Sequence, residues 1–343
     1  MSILAAARTF VGLDYHASFV QVCAMEPGGR VIVNERCENN ARAIAAVVRS
    51  RVGEQSPVFA AIEACCGAAN LADELVARCG WSVDQAHPGY VSRLKQSPDK
   101  TDFGDARILA DLERVGYLPK VWTAPHEVRE LRRVVRYRQS LVQERRATKL
   151  RISAALREAR LKPPATVNPW TKAWVAWLDR TELSEQARWV VSRQLERLKF
   201  LKTEIQEVES RLEQLTQNDV LVQRLRTMPG IGLITAVTIR AEIGRFDRFR
   251  TGKQLSRFCG LSPRNASSGQ KQADAGLIKA GNSNLRAVII EAAQRLVRLD
   301  ERWLKLYCQL WQRGKPKCVA LAAVANRWMR WLFHQVQPAS LAA

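Results

Sequence analysis

The chain has 343 residues, 47% hydrophobic and 25% charged, with 54 Lys/Arg against 33 Asp/Glu for a formal net charge of +21. That length can bury a full core without covalent staples. No apolar run reaches the roughly 18 residues needed to cross a bilayer, which sets aside a membrane-spanning protein. The charge is uneven: residues 1–100 hold ten Lys/Arg and ten Asp/Glu, so the whole excess lies in residues 101–343. A field of that sign attracts polyanions, nucleic acid first among them.

The opening MSILAAARTF is too short for a signal-peptide core and reads as a lead-in to a strand. TFVGLDYH, SFVQVCAM and VIVNERC are β-rich runs with a Pro-Gly-Gly turn between the second and third, the pattern of an antiparallel meander. ARAIAAVVRSRV then reads as a helix, PVFAAIEAC as a buried strand, AANLADELVARCG as a second helix and WSVDQAHP as a short strand. Three antiparallel strands followed by strand–helix alternation is the order of a ribonuclease-H-like (RuvC-like) α/β domain, expected over residues 1–125.

From Val128 the pattern changes. Residues 127–161 carry eleven Arg/Lys against four Glu, with Leu131, Val135, Leu141, Ile152 and Leu156 among the residues along one side of a long basic helix. KPPATVNPW interrupts it. In a second long helix Val191, Leu198, Ile205 and Leu212 recur every seven residues, and Leu201, Val208 and Leu215 form a second series, an a/d seam of coiled-coil type. These helices, spanning 126–218, are expected to pair with each other or with another subunit. Residues 219–343, punctuated by MPGIG, AEIG, CGLSP, SSG and KAGN, are expected to form a mostly helical C-terminal domain. Trp303, Trp311, Trp328 and Trp331, like Trp170, Trp174 and Trp177, read as packing residues rather than base-stacking platforms.

Eight cysteines without C-x-x-C spacing read as buried free thiols in a reducing compartment, and four unpaired histidines argue against a histidine-based metal site. Carboxylates are the better candidates. Asp14 ends the first strand, and Glu63 ends the buried run FAAIEA, where an uncompensated carboxylate costs several kcal/mol. Asp102 and Asp105, in KTDFGDA, share a helix face three residues apart. Each has an ordinary reading: a turn residue, a salt-bridge partner, a helix cap, a first-turn acid. In the expected fold, however, the first and fourth strands are neighbours, and four acids brought to one spot need a cation between them. Hard oxygen ligands select Mg²⁺ or Mn²⁺, which can clamp the attacking and leaving oxygens of a phosphodiester. His16, two residues after Asp14 on an extended strand, lies on the same side and reads as structural.

Near the C-terminal end, Gly230 and Gly232 of MPGIG open a helix, where backbone amides can approach a phosphate. Ser267 and Ser268 precede Gly269 in a loop flanked by Arg264, Lys271, Lys279 and Arg286. A serine hydroxyl attacks phosphorus only with help from a base or from cations on the phosphate, and the loop by spacing alone is an ordinary one.

GLDYH, AIEAC, KTDFGDA, RYRQSLVQERRATKLRI, MPGIGLITA, AEIG, FCGLSP, SSG, IKAGNSNLR and GKPKCVALAAVA occur in this order along nearly the whole chain. The ordered set resembles the DEDD-type insertion-sequence transposases of the family numbered one-ten and its sister group. The resemblance implies that Asp14, Glu63, Asp102 and Asp105 bind metal, and that Ser268 attacks DNA to give a covalent phosphoserine; Ser267, adjacent, carries the same hydroxyl. It also implies composite sites in a homo-oligomer, dimer to tetramer, a bridge RNA that selects double-stranded donor and target DNA, and a cytoplasmic protein working at the nucleoid. QADAGLIKAGN departs from the family's usual, more basic stretch, which bears on local DNA contacts and not on the catalytic core. Two alternatives stand beside recombination: a metal-dependent nuclease or junction resolvase with water as nucleophile, and a non-catalytic nucleic-acid scaffold.

Overall fold

A computed structural model describes residues 8–53, 56–94, 101–265, 274–278 and 281–336. The chain forms two compact units, Met1–Ala124 and Pro125–Ala343.

The first unit contains strands β1 (Thr9–Tyr15), β2 (Phe19–Met25) and β3 (Val31–Glu38), helix α1 (Ala41–Val52), β4 (Val58–Glu63), α2 (Ala68–Cys79), β5 (Ser82–Ala86), α3 (Pro88–Leu94), α4 (Asp102–Arg114) and β6 (Lys120–Val121). They build one six-stranded sheet of order β3-β2-β1-β4-β5-β6. β1, β2 and β3 pair antiparallel, β4 runs parallel to β1 and to β5, and β6 closes the edge antiparallel. The meander and the crossover order are those expected of a ribonuclease-H-like sheet.

Period-two alternation gives the sheet two different faces. Val11, Leu13, Val20, Val22, Ala60 and Ile62 point to one side, where Ile44 and Val48 of α1 and Leu71 and Leu75 of α2 bury them. The opposite face is built from small groups. Gly12, Cys23 and Ala61 leave a shallow bed into which Ala106, Leu109 and Ala110 of α4 settle. A Cβ at Gly12 would overlap the Ala106 carbonyl oxygen and crowd the Ala110 amide nitrogen at 2.5 Å, so the close approach of α4 to β1 requires glycine there.

The second unit is mostly helical: α5 (His126–Glu158), α6 (Lys172–Arg180), α7 (Glu185–Thr216), α8 (Val220–Arg226), α9 (Leu233–Ile243), α10 (Gly252–Phe258), the β7 (Pro263–Asn265) and β8 (Asp274–Leu277) pair, α11 (Ser283–Leu299), α12 (Glu301–Gln312) and α13 (Lys317–Val336). The long helices α5 and α7 form an antiparallel hairpin within the chain, tied by Arg138–Glu209 at 2.6 Å, Tyr137–Glu204 at 3.0 Å and an Arg197–Glu144 pair. Of the two seven-residue series, Val191, Leu201, Ile205, Val208 and Leu212 are buried and Leu198 is partly so, whereas Leu215 is exposed.

At its far end the hairpin packs on α6 through Ile152, Leu156, Trp174 and Leu178. At its base, Leu131, Val135, Leu201 and Leu212 join the same core as α9, α11 and α13. The region expected at 126–218 and that expected at 219–343 therefore share one buried cluster. α9 is buried on nearly every side and acts as its axle. Trp303 and Trp328 lie in this core and Trp331 packs against it, but Trp311, in the last turn of α12 with Lys317 Nζ 5.9 Å from its ring centroid, is exposed, contrary to expectation. The thiols also depart from expectation: Cys23 and Cys259 are buried, while Cys65, Cys66 and Cys318 are exposed. No described helix is long and apolar enough to cross a membrane.

Candidate active site

The first unit gathers its acids where β1 and β4 end and α4 begins. Leu13 is registered with Ile62, so Asp14 and Glu63 are the next residues on two adjacent parallel strands. Both share, by alternation, the face of Gly12 and Ala61, the face on which α4 lies. The α4 N-terminus is set by Thr101, whose hydroxyl accepts from the Gly104 amide at 3.1 Å. That turn presents Asp102, which is half-buried, and Asp105, which is buried.

The closest grouping is Asp14, His16 and Asp102, whose ligand-type atoms lie within 4.8 Å of one another. His16 Nε2 is 3.2 Å from Asp14 Oδ2 and 3.5 Å from Asp102 Oδ1. Burial pushes the Asp14 carboxyl above the usual carboxylate range; the His16 hydrogen bond and charge oppose this, and the charges of Asp105 and Asp102 add to it. Asp105 thus acts on Asp14 electrostatically without belonging to the tightest group. Glu63 is at the adjoining strand end, also outside that group.

Three residues that sequence reasoning did not single out hold the arrangement. Arg36 of β3 donates from Nη2 to Asp102 Oδ2 at 2.8 Å, leaving Oδ1 turned toward His16. Its guanidinium lies 4.6 Å from the Phe19 ring centroid, and Phe19 stacks on His16 at 4.3 Å. Asn34, two residues before Arg36 on the same face, donates to the Phe103 carbonyl at 3.0 Å and accepts from Gln21 at 2.7 Å. The meander register, with Gln21 opposite Arg36, was the available signal: it places Arg36 two strands from Asp14 on the same face.

In the second unit, Ser267, Ser268, Lys271 and Lys279 lie outside the described residues. β7 and β8 pair in register Pro263–Leu277, and the Ile278 amide donates to the Ser262 carbonyl at 3.0 Å. Gly260 and Gly281 lie close together: a Cβ on Gly281 would collide with the Gly260 backbone, and one on Gly260 would run into the Arg286 guanidinium. Arg286 Nη1 donates to the Ile278 carbonyl at 3.2 Å, so this predicted phosphate contact braces the base of the segment. Asn282 caps α11 through Leu285 and donates to Glu242 Oε2 at 2.8 Å. Glu242, buried, also receives a two-pronged bond from Arg136 at 2.8 and 3.0 Å. Arg264 is exposed on β7. Gly230 is packed against the backbone of α11 near Ala292 and Leu296, whereas Gly232, at the start of α9, faces open space.

An α/β sheet of this order with carboxylates at one end and a basic helical unit behind it in the chain is the organisation of a DNA-processing enzyme of the ribonuclease-H-like class. Residues 11–160 match the model of the IS110-type DEDD transposases, and residues 222–309 match that of the "Transposase IS116/IS110/IS902 family". The chain is similar to the transposase for insertion sequence element IS1111A of Coxiella burnetii, 28% identical over 91% of this chain and 86% of that one. It is also similar to a probable family 20 transposase of Pseudomonas aeruginosa, 29% identical over 94% and 95%. A third relative, the putative transposase y4qE of Sinorhizobium fredii, is 28% identical over 70% of this chain and 65% of its own length. The chain belongs to the IS110-type DEDD transposase family.

Proposed function

We propose that the protein is an insertion-sequence recombinase that cuts and rejoins double-stranded DNA through a covalent bond to Ser268. Divalent-metal support comes from Asp14, Glu63, Asp102 and Asp105, and a structured bridge RNA chooses donor and target. The observation that carries the reading is the meeting of Asp14 and Asp102, from distant parts of a chain of this family, at the sheet end where the adjoining strand bears Glu63.

The carboxylates suit a hard divalent cation: Asp14 and Asp102 come within 4.8 Å of each other, with Asp105 acting on Asp14 and Glu63 on the next strand. Mg²⁺ or Mn²⁺ held there supplies the positive charge that lets a phosphodiester approach a carboxylate cluster and develop charge on its oxygens. Arg36 keeps one oxygen of Asp102 occupied and so orients the other.

In the covalent step the Ser268 Oγ–P bond forms as a bond from phosphorus to a sugar oxygen breaks; the hydroxyl proton leaves and the departing sugar oxygen is protonated. One phosphate ester replaces another, so attack by a sugar hydroxyl of the partner strand restores DNA without an outside energy source. Arg264, Lys271, Lys279, Arg286 and the amides near Gly230 and Gly232 are the proposed phosphate contacts, and the exposed basic side of α5 is the proposed surface for RNA or DNA. The working form is a homo-oligomer, dimer to tetramer.

The test is a reaction on labelled DNA with the cognate RNA, followed by denaturing separation. Label retained on the polypeptide, and lost in Ser268→Ala and in Asp14→Asn, is the expected result. Cleavage with free ends that survives Ser268→Ala would assign the chemistry to water and make the protein a nuclease or resolvase.

A further inference from the structure

We infer that His16 is itself a metal ligand, an imidazole donor that turns the carboxylate site toward Mn²⁺ over Mg²⁺. The inference rests on the metal reading of the preceding subsection and adds a residue and a preference to it.

The distances argue for a shared cation rather than a simple pair. In an octahedral site with bonds of ~2.1 Å, adjacent ligand atoms are ~3.0 Å apart. His16 Nε2 lies 3.2 Å from Asp14 Oδ2 and 3.5 Å from Asp102 Oδ1, near that edge length in two directions. A single Nε2 faces two carboxylates from separate elements, the end of β1 and the first turn of α4. A hydrogen bond to one of them does not account for the approach of the other.

The imidazole is also held in place before any ion arrives. The His16 amide donates to the Phe19 carbonyl at 3.0 Å, closing the β1–β2 turn. Its own carbonyl accepts from Asn39 Nδ2 at 2.7 Å. The ring stacks on Phe19 at an interplanar angle of 17°, and Phe19 is backed by Arg36, the residue that orients Asp102. One small cluster thus aims both the nitrogen and a carboxylate oxygen at the same point. At 38% side-chain exposure, His16 remains open to an entering ion.

Ligand chemistry gives the preference. Mg²⁺ sheds water reluctantly and takes oxygen donors, whereas first-row transition ions accept imidazole nitrogen alongside carboxylate. A site of carboxylates alone would discriminate little between Mg²⁺ and Mn²⁺; one with a preset nitrogen favours Mn²⁺.

Pulsed electron paramagnetic resonance on the full-length protein with Mn²⁺ alone tests this, without nucleic acid. The expected result is a directly coordinated ¹⁴N coupling in wild type that disappears in His16→Ala and in His16→Gln. Mn²⁺ still binds these variants through the carboxylates, its affinity lowered at least about tenfold while Mg²⁺ affinity is little changed. Mn²⁺ bound in an Asp14-dependent way but lacking that coupling overturns the role of His16 and leaves the carboxylate site standing. No Asp14-dependent binding of either ion overturns both.

Discussion

Asp102 illustrates how one side chain is given two tasks by two oxygens: Oδ2 is fixed by Arg36 and Oδ1 is left facing His16. Removing the anchor should loosen the ligand without unfolding the sheet, because Arg36 is mostly exposed. Arg36→Ala is therefore expected to weaken Mn²⁺ binding by roughly tenfold or more, as loss of an outer partner of a metal ligand commonly does, with an unchanged circular dichroism spectrum. Glu113 tests a different residue-scale effect. Burial raises its carboxyl above the ordinary value of 4.5, with Lys120 at 3.1 Å opposing the rise, while Oε2 is buried without a hydrogen-bond partner. The folded protein holds this proton more tightly than the unfolded chain. This group's contribution to stability is thus greatest below about 4.5 and declines as pH rises through the raised value. Urea melts across that window should show the decline in wild type and a flatter profile in Glu113→Gln.

At the scale of elements, the position of α4 decides whether the acids meet, and α4 is placed by backbone contact. Gly12→Ala puts a methyl group against helix backbone that cannot rotate aside, so the helix must lift or β1 must bend. A loss of roughly 2–4 kcal/mol in chemical denaturation, together with loss of metal binding, is expected. The Glu242 hub has the corresponding role in the second unit, joining α5, α9 and the cap of α11. Neutralising it weakens the acceptor of Asn282 and removes the charge facing Arg132, but Arg132 keeps the Ala241 carbonyl at 2.9 Å and Arg136, 56% exposed, regains water. Glu242→Gln should accordingly cost roughly 1–3 kcal/mol, less than breaking a wholly buried pair. The helices themselves were legible: period-seven spacing marks α7 and its buried Leu201, Ile205 and Leu212. That the partner is α5 of the same chain was not, since an a/d seam states what is apolar and not who covers it.

For the whole molecule the dominant physical fact is charge. The +21 excess lies entirely beyond residue 100, and Arg146, Arg151 and Arg157 are exposed along α5. Nucleic-acid affinity should fall steeply with salt. Replacing these three arginines by alanine should make the log–log slope shallower by about 2 to 3, read by fluorescence anisotropy at several salt concentrations. An unchanged slope would move the nucleic-acid surface elsewhere. By itself the sequence determined the order of strands and helices in the first unit, the basic and neutral parts of the chain, and which four acids the metal proposal rests on. Alternation, turn chemistry and composition are local properties that survive without knowledge of distant partners. Only tertiary structure decided that Asp14 and Asp102 gather around His16, that Arg36 aims one of them, and that Arg286 reaches back to the Ile278 carbonyl beyond β8. Those outcomes depend on distances between residues far apart in the chain. Strand register and the glycine bed under α4 set these distances, and neither is encoded in any single stretch.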